Sequence, residues 1–233
     1  MSGKATRLRE SAVNGSATGA EATDEAIILP PPAAAPRRSP LFSRNTPVPT
    51  AAGNRVRIIG GSWRGRIVRF PRTEGLRPTP DRVRETLFNW LGQDLAGRRC
   101  LELFAGTGVL SLEALSRGAA LAVAVDRSRA LIDALRSTAQ VLGAQALETH
   151  CAQARAWIGL ERRDFDVIFL DPPFRDDPWA WLLPACAARL VPGGCLFAEA
   201  GHALSPPPSL TTWRSDKAGQ VHYHLFVNPG DQE

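Results

Sequence analysis

The sequence is poor in cysteine and lysine and contains no long hydrophobic run. Its four cysteines, Cys100, Cys151, Cys186 and Cys195, form no C-x-x-C pair and lie in apolar segments. This pattern favours buried, reduced thiols and argues against a zinc or other metal site. No run approaches the roughly 20 apolar residues that cross a membrane. The N-terminus lacks the apolar core of a secretory signal, and its acidic residues argue against a transit peptide. We therefore expect a cytoplasmic protein.

The distribution of charge is more informative than the net charge of +5. Lysine supplies only 2 of the 28 basic residues, so the choice of arginine over lysine carries no functional information. Residues 54–99 hold 11 arginines and 4 acidic residues, whereas residues 100–233 have an acidic excess. Such a basic segment is typical of a protein with a polyanionic partner. A solvated basic surface is the alternative interpretation.

Composition divides the chain into a tail, an arginine-rich extension and a main domain. Residues 1–53 are rich in Ala, Ser, Pro and Gly and have weak periodicity. This composition predicts a disordered tail with, at most, a short helix near Glu21–Leu29. Residues 54–98 are rich in arginine and form the extension, and residues 99–233 form the main domain.

The arginine-rich extension contains signals for a hairpin followed by a helix. Two β-type runs flank Gly60 and Gly61, which predicts a β-hairpin. Thr79 is a suitable N-cap for the next helix, and Pro80 fits its first position. Apolar residues then recur at helical spacing from Val83 onward.

The main domain alternates apolar strands with helical segments, which predicts an α/β fold with a parallel sheet flanked by helices. A turn is expected at Pro192–Gly194. The predicted strands are Cys100–Phe104, Leu121–Val125, Val167–Leu170, Cys195–Glu199 and Gln220–Val227, and the predicted helices are Val109–Arg117, Arg129–Leu142 and Trp179–Leu190.

A glycine loop follows the first of these strands, where a doubly wound sheet binds its ligands. Gly106 and Gly108 let the backbone approach a ligand closely. A dinucleotide-binding fingerprint needs a further glycine where this sequence has Ser111. The strand residue Glu102 can reach the amino group of an S-adenosylmethionine, which favours a methyltransferase, and Asp126 is placed to accept hydrogen bonds from ribose hydroxyls. An ordinary tight turn, with Asp126 as a helix cap, is the alternative.

The tetrapeptide Asp171-Pro172-Pro173-Phe174 follows the strand that ends at Leu170. An exocyclic base amine is a poor nucleophile, because its lone pair is delocalised into the ring. The Asp171 carboxylate and the Pro172 carbonyl can together accept hydrogen bonds from one NH2 group and orient it for in-line attack. Phe174 offers a face on which an extruded base can lie. A proline-rich turn with a capping aspartate is the alternative interpretation.

Two blocks of the extension, residues 57–66 and 76–91, closely resemble the bacterial RsmD-type family. The glycine loop, the tetrapeptide and residues 218–221 also match, so the resemblance covers residues 55–228. It implies a class I, Rossmann-like methyltransferase fold with a mostly parallel seven-stranded sheet and a small N-terminal hairpin and helix. It also implies transfer of a methyl group from S-adenosylmethionine to the N2 amine of a specific guanine in 16S ribosomal RNA.

The resemblance also implies roles for individual residues. Its members usually carry a glutamate where this chain has Ala124, and an asparagine or aspartate where it has Gln153. Asp126 is therefore expected to serve the ribose alone, and Gln153 to lie near the adenine. The catalytic residues implied are Asp171, Pro172 and Phe174, and the cofactor-binding residues are Glu102, Phe104, Gly106, Gly108, Asp126 and Gln153.

The arginines of the extension are the expected phosphate contacts, to 16S rRNA or to the small ribosomal subunit. Some could instead pair with Glu85 or with backbone carbonyls. No exposed apolar stripe is evident in the sequence, so we expect a monomer. The arginines concerned are Arg57, Arg64, Arg66, Arg69, Arg77, Arg82 and Arg84.

Other functions stay open on the sequence alone. The tetrapeptide also suits an amino-methyltransferase that acts on adenine N6 or on a protein amide, since each presents a planar NH2 group. An RNA-binding assembly factor that has lost catalysis is a further alternative, to which Ala124 lends slight support. The missing third glycine makes a nicotinamide dehydrogenase the least favoured.

Overall fold

The computed structural model describes residues 54–73, 76 and 79–230. The expected tail at residues 1–53, its short helix near Glu21–Leu29, and the expected RNA contact Arg77 lie outside these residues. In the part of the chain that is described, no helix is long and apolar enough to cross a membrane.

The N-terminal extension folds as the predicted hairpin and helix. Strands β1 (Asn54–Arg57) and β2 (Ile67–Phe70) pair antiparallel, and a 3-10 turn at Gly61–Trp63 lies between them. Helix α1 spans Asp81–Leu91, so Pro80 is its N-cap and the prediction of Thr79 as the cap was wrong. The Thr79 side chain is buried, and its carbonyl accepts a hydrogen bond from the guanidinium of Arg84 at 3.2 Å.

The main domain is a seven-stranded sheet in the order β5-β4-β3-β6-β7-β9-β8. The first five strands in this order are parallel, and β9 pairs antiparallel with both β7 and β8. This arrangement confirms the predicted mostly parallel α/β sheet. The elements are β3 (Arg99–Leu103), α2 (Val109–Ser116), β4 (Leu121–Asp126), α3 (Arg129–Leu142), β5 (Leu147–Cys151), α4 (Ala154–Leu160), β6 (Phe165–Leu170), α5 (Trp179–Ala187), β7 (Leu190–Ala200), β8 (Thr211–Ala218) and β9 (Val221–Val227).

The sequence predictions missed β5, α4 and β8. Strands β5 and β8 lie at the two edges of the sheet and are mostly polar or half-exposed, so they lack the apolar run that marks the inner strands. The turn predicted at Pro192–Gly194 is instead an irregularity within β7. The register between β6 and β7 shifts there, and Gly193 has a φ of 75°.

Two hydrophobic clusters cover the two faces of the sheet. The first joins Val56 and Val68 of the hairpin and Leu87 of α1 to Phe169 and Phe197 of the sheet. The second packs α4 and α5 against the opposite face. Alternate side chains of each strand point to opposite faces of the sheet, so the sheet has a hydrophobic cluster on each face. The extension shares the first cluster with the main domain.

The cysteines only partly follow the prediction of buried, reduced thiols. All four are free. Cys100, Cys186 and Cys195 are buried, and burial raises the pKa of the Cys195 thiol to about 12. Cys151 is exposed, because it ends the edge strand β5, so the prediction was wrong for this residue.

Candidate active site

The glycine loop connects β3 to α2 through left-handed backbone. Phe104 has a φ of 61°, which is uncommon for a non-glycine residue, and Gly106 and Gly108 have φ values of 52° and 69°. A Cβ at Gly108 would overlap the side chain of Leu135 on α3. Gly108 is thus required both by the turn and by the close approach of α3.

Glu102 is a buried carboxylate directly before this loop. Its Oε2 accepts hydrogen bonds from the backbone N–H of Ser111 at 2.9 Å and from the Ser111 hydroxyl at 2.5 Å. Burial nevertheless raises the pKa of Glu102 to about 7. Since its hydrogen-bond donors are neutral, an ammonium group is the ligand that would compensate its charge. The Glu102 carboxylate therefore fits as the acceptor for the amino group of S-adenosylmethionine.

Asp126, at the end of β4, ties the glycine loop to the start of α3. Its two carboxylate oxygens accept from the backbone N–H groups of Gly106 at 2.8 Å and Ser128 at 2.7 Å. An ionised carboxylate offers about four acceptor positions, so Asp126 keeps acceptor capacity for hydroxyl groups. Ala124 is buried in β4, where it pairs in register with Glu102.

Gln153 follows β5 and is the N-cap residue of α4. Its side chain is exposed and does not cap the helix. It therefore lies at the same carboxyl edge of the sheet as the glycine loop and Asp126, with its amide free to bind a ligand.

The tetrapeptide begins directly after β6, at the same edge of the sheet. Pro172 is buried, and a 3-10 turn covers Phe174–Asp176. Burial, and then the charges of Glu199 and Glu102, raise the pKa of Asp171 well above its usual value. The side chain of Phe174 is 48% exposed. The site thus combines a desolvated carboxylate with an exposed aromatic face.

Glu199 is a carboxylate near this site that the sequence analysis missed. It is next to the last residue of β7 and only 5% exposed, and burial raises its pKa to about 7. An acidic residue at the end of the apolar run Cys195–Ala198 was the available signal, and it is the same signal that singled out Asp126.

The arginines expected to contact RNA fall into two groups. Arg84 is fully buried and binds Glu113, Asp81 and the carbonyl of Thr79, so its prediction as a phosphate contact was wrong. Its guanidinium has no surface to offer a phosphate. The other described arginines of this set are exposed, namely Arg57, Arg64, Arg66, Arg69 and Arg82.

The buried ion pairs of Glu113 attach the extension to α2. Its carboxylate accepts from the guanidinium groups of Arg84 and Arg117. It also accepts from the backbone N–H groups of Ile59 at 2.7 Å and Gly60 at 3.3 Å. The hairpin loop is therefore fixed on the helix that starts at the glycine loop. The described part of the chain has no group of three or more His, Cys, Asp or Glu residues that could hold a metal.

A model of the family described as "Conserved hypothetical protein 95" matches residues 56–227. The chain belongs to this family. The conserved hypothetical protein 95 family corresponds to the RsmD-type family that the motifs resemble. The match runs from β1 of the hairpin to the end of β9, a range that includes every described residue of the site.

Relatives and solved structures agree with this assignment. The chain is 38% identical to ribosomal RNA small subunit methyltransferase D of Escherichia coli over 192 residues, which are 78% of this chain and 95% of that protein. It is similar to the structure of a putative methyltransferase, yhhF, from Escherichia coli, with a TM-score of 0.70, 35% identity and coverage of 76% of this chain and 100% of the other. An RNA methyltransferase from Salinibacter ruber in complex with S-adenosyl-L-homocysteine shares the fold, with a TM-score of 0.52, 16% identity and coverage of 67% and 97%. The fold is that of class I methyltransferases.

Proposed function

We propose that this enzyme transfers a methyl group from S-adenosylmethionine to the N2 amine of a specific guanine in 16S ribosomal RNA. The observation that carries the proposal is the desolvated Asp171, which follows β6 beside the glycine loop, in a chain whose relatives are named ribosomal RNA small subunit methyltransferase D. Enzyme class and cofactor follow from the family, and the acceptor atom is the finer part of the proposal.

Six residues would hold the cofactor. Glu102 would bind the ammonium group, and Asp126 would accept from the ribose hydroxyls with the acceptor positions that Gly106 and Ser128 leave open. Phe104, Gly106 and Gly108 would shape the loop against the ligand, and Gln153 would reach the adenine. When bound, S-adenosylmethionine supplies a methyl group on a sulfonium centre, and the S–C bond breaks as the N–C bond forms.

The target base would lie against the tetrapeptide. Asp171 and the carbonyl of Pro172 would each accept one hydrogen bond from the N2 amine, which fixes the direction of its lone pair. The exposed ring of Phe174 would stack on the extruded base. After transfer the amine nitrogen carries one proton too many, and Asp171, with its raised pKa, would accept it.

We assign recognition of the RNA backbone to the extension at residues 54–98 and catalysis to residues 99–233. Support comes from the exposed arginines of the extension and from its rigid attachment to α2 through Glu113. The proposed substrate is the 16S rRNA or the small subunit, in the cytoplasm, and the proposed active form is a monomer.

A methyl-transfer assay tests this function. Purified enzyme and labelled S-adenosylmethionine are incubated with small ribosomal subunits from a strain that lacks this gene, and the labelled nucleoside is identified. We expect label in N2-methylguanosine. Asp171→Ala should reduce transfer by a factor of about 10² or more while the affinity for S-adenosylmethionine, measured by calorimetry, stays unchanged.

The outcomes separate the alternatives. Label in N6-methyladenosine would assign the enzyme to the other base amine. If the enzyme binds the cofactor but no RNA is labelled, the substrate is a different amine. If the protein neither binds the cofactor nor labels RNA, an RNA-binding assembly factor without catalysis is favoured.

A further inference from the structure

Glu199 and Asp171 occupy matching positions on neighbouring parallel strands. Leu170, the last residue of β6, pairs with Ala198 of β7, and the residue after each of them is acidic, Asp171 beyond β6 and Glu199 within β7. Glu199 is two residues after Phe197 in β7, so both side chains are on the same face of the sheet, the face of the first hydrophobic cluster. The charge of Glu199 also raises the pKa of Asp171, in agreement with the adjacent positions that the register gives the two residues.

The tetrapeptide also lies next to Gly201, the residue that follows β7. Gly201 lies against Phe174, since a Cβ at Gly201 would be 3.6 Å from the ring. A base stacked on Phe174 and bound by Asp171 would therefore lie at the end of β7, where Glu199 is placed.

The Oε2 atom of Glu199 is buried, and among the described residues it has no hydrogen-bond donor. Tyr223, its cross-strand neighbour on β9, donates its hydroxyl to Asp216 at 2.8 Å instead. His224, also on β9, accepts from the backbone of Leu204. A buried carboxylate oxygen without a donor costs free energy, so its presence indicates a ligand that donates a hydrogen bond.

The two purines differ at the ring atom beside the amine. In guanine the N2 amine lies between two ring nitrogens, N1, which carries a hydrogen and donates, and N3, which presents a lone pair. In adenine the atom next to the N6 amine is N1 without a hydrogen, which presents a lone pair. In its ionised form a carboxylate beside Asp171 accepts but cannot donate, so it would bind N1 of guanine and repel N1 of adenine.

We propose that Glu199 accepts a hydrogen bond from N1–H of the target guanine and thereby selects guanine over adenine. This inference rests on the proposed function and adds a specificity residue to it. A site built to hydrogen-bond one substrate group rejects an analogue without that group strongly, because its own buried polar atom is then left unpaired.

A substituted substrate tests the contact directly. Small subunits are reconstituted with guanine or 2-aminopurine at the nucleotide that the assay above identifies. 2-Aminopurine keeps the reacting amine but has a lone pair at N1. We expect the wild-type enzyme to prefer guanine by a factor of about 100 in kcat/KM, because 2-aminopurine leaves the buried carboxylate without a donor. Glu199→Gln should lower this preference at least about tenfold, because the glutamine amide can donate to N1 of 2-aminopurine.

Two further variants control the comparison. Glu148→Gln changes an exposed carboxylate of β5 and should keep the wild-type preference. Glu199→Asp keeps an acceptor-only group and should retain the preference for guanine at a lower rate. If Glu199→Gln is too unstable to assay, Glu199→Asp tests the proposal. Loss of the preference for guanine over 2-aminopurine in Glu199→Asp would overturn it.

The failure of this inference differs from failure of the proposed function. An unchanged preference in Glu199→Gln, with guanine methylated by the wild type, would reject the role of Glu199 alone. Equal methylation of adenine and guanine at the target position would reject it as well. Absence of guanine methylation by the wild type would reject the proposed function and this inference together.

Discussion

Burial controls the chemistry of three carboxylates at the carboxyl edge of the sheet. Desolvation is the largest cause of the raised pKa of Glu102, Asp171 and Glu199. Each of these groups is more easily protonated in the free enzyme than it would be in water. A ligand that offers a positive charge or an N–H group restores the ionised form, so binding and ionisation are coupled at this site.

Glu102 gives the sharpest consequence of this coupling. Because its pKa is about 7, affinity for S-adenosylmethionine should fall as the pH drops through about 7, where the carboxyl gains a proton and no longer attracts the ammonium group. Glu102→Gln should weaken binding at least about tenfold at about pH 8 and remove this pH dependence. Calorimetric titration between about pH 6 and about pH 8 measures both effects.

A matched control is available for this titration. Arg163 holds the pKa of Glu161 down to about 2, so Glu161→Gln should leave the pH dependence of cofactor binding as it is in the wild type. Constant affinity of the wild type over the same pH range would show that Glu102 does not bind the ammonium group.

At the scale of the elements, buried charge connects the extension to the sheet. Glu113 of α2 binds Arg84 of α1 and Arg117, and it also accepts from the hairpin backbone at Ile59. Arg117 in turn stacks on Phe88, with its guanidinium carbon 3.9 Å from the ring centroid. One carboxylate thus fixes the hairpin, α1 and α2 relative to the glycine loop.

Removal of this carboxylate should destabilise the fold. Glu113→Gln would remove the counter-charge of Arg117 and would leave Arg84 paired with Asp81 alone. Breaking a buried ion pair in this way typically costs about 3–5 kcal/mol. Denaturant unfolding followed by circular dichroism measures the loss. Asp133→Asn, which disrupts exposed ion pairs with Arg129 and Arg136, should cost no more than about 1 kcal/mol. Equal losses in the two variants would contradict the role assigned to Glu113.

At the scale of the whole molecule, the exposed arginines lie on the extension that packs on the same sheet face as Glu102 and Phe169. Because α1 and the hairpin share this core, a backbone bound by the arginines would be held at a fixed position relative to the tetrapeptide. The extension would then position the RNA through its phosphates, and the main domain would select the target base. The two parts form one rigid unit.

RNA binding should therefore depend on salt through these arginines. The logarithm of the binding constant should fall linearly with the logarithm of the salt concentration, and Arg64→Ala or Arg66→Ala should each lower the slope by about 1. Filter binding of the rRNA at several salt concentrations measures the slopes. Arg162→Ala, which removes an exposed arginine just before β6, should leave the slope unchanged. Equal slopes for all variants would remove the extension from the RNA interface.

The sequence by itself determined the order of the inner elements and the positions of the glycine loop and the tetrapeptide. Apolar runs, glycines and helix periodicity are local signals, so β3, α2, β4 and α3 agree with prediction to within a residue or so at their ends. The alternation of strands and helices implies a parallel sheet that binds ligands beyond the carboxyl ends of its strands, which is why Glu102, Asp126 and Asp171 were predicted as site residues.

Only the tertiary structure decided which polar residues are buried and which of them meet. Arg84 looked like its exposed neighbours in sequence, but its partner Glu113 is on another helix, and this pairing removes it from the surface. The register between β7 and β6 places Glu199 next to Asp171, and this position cannot be deduced from the sequence around Glu199. The edge strands β5 and β8 likewise depend on partners distant in the chain. Pairing between segments remote in sequence is set by packing over the whole fold, and no local pattern encodes it.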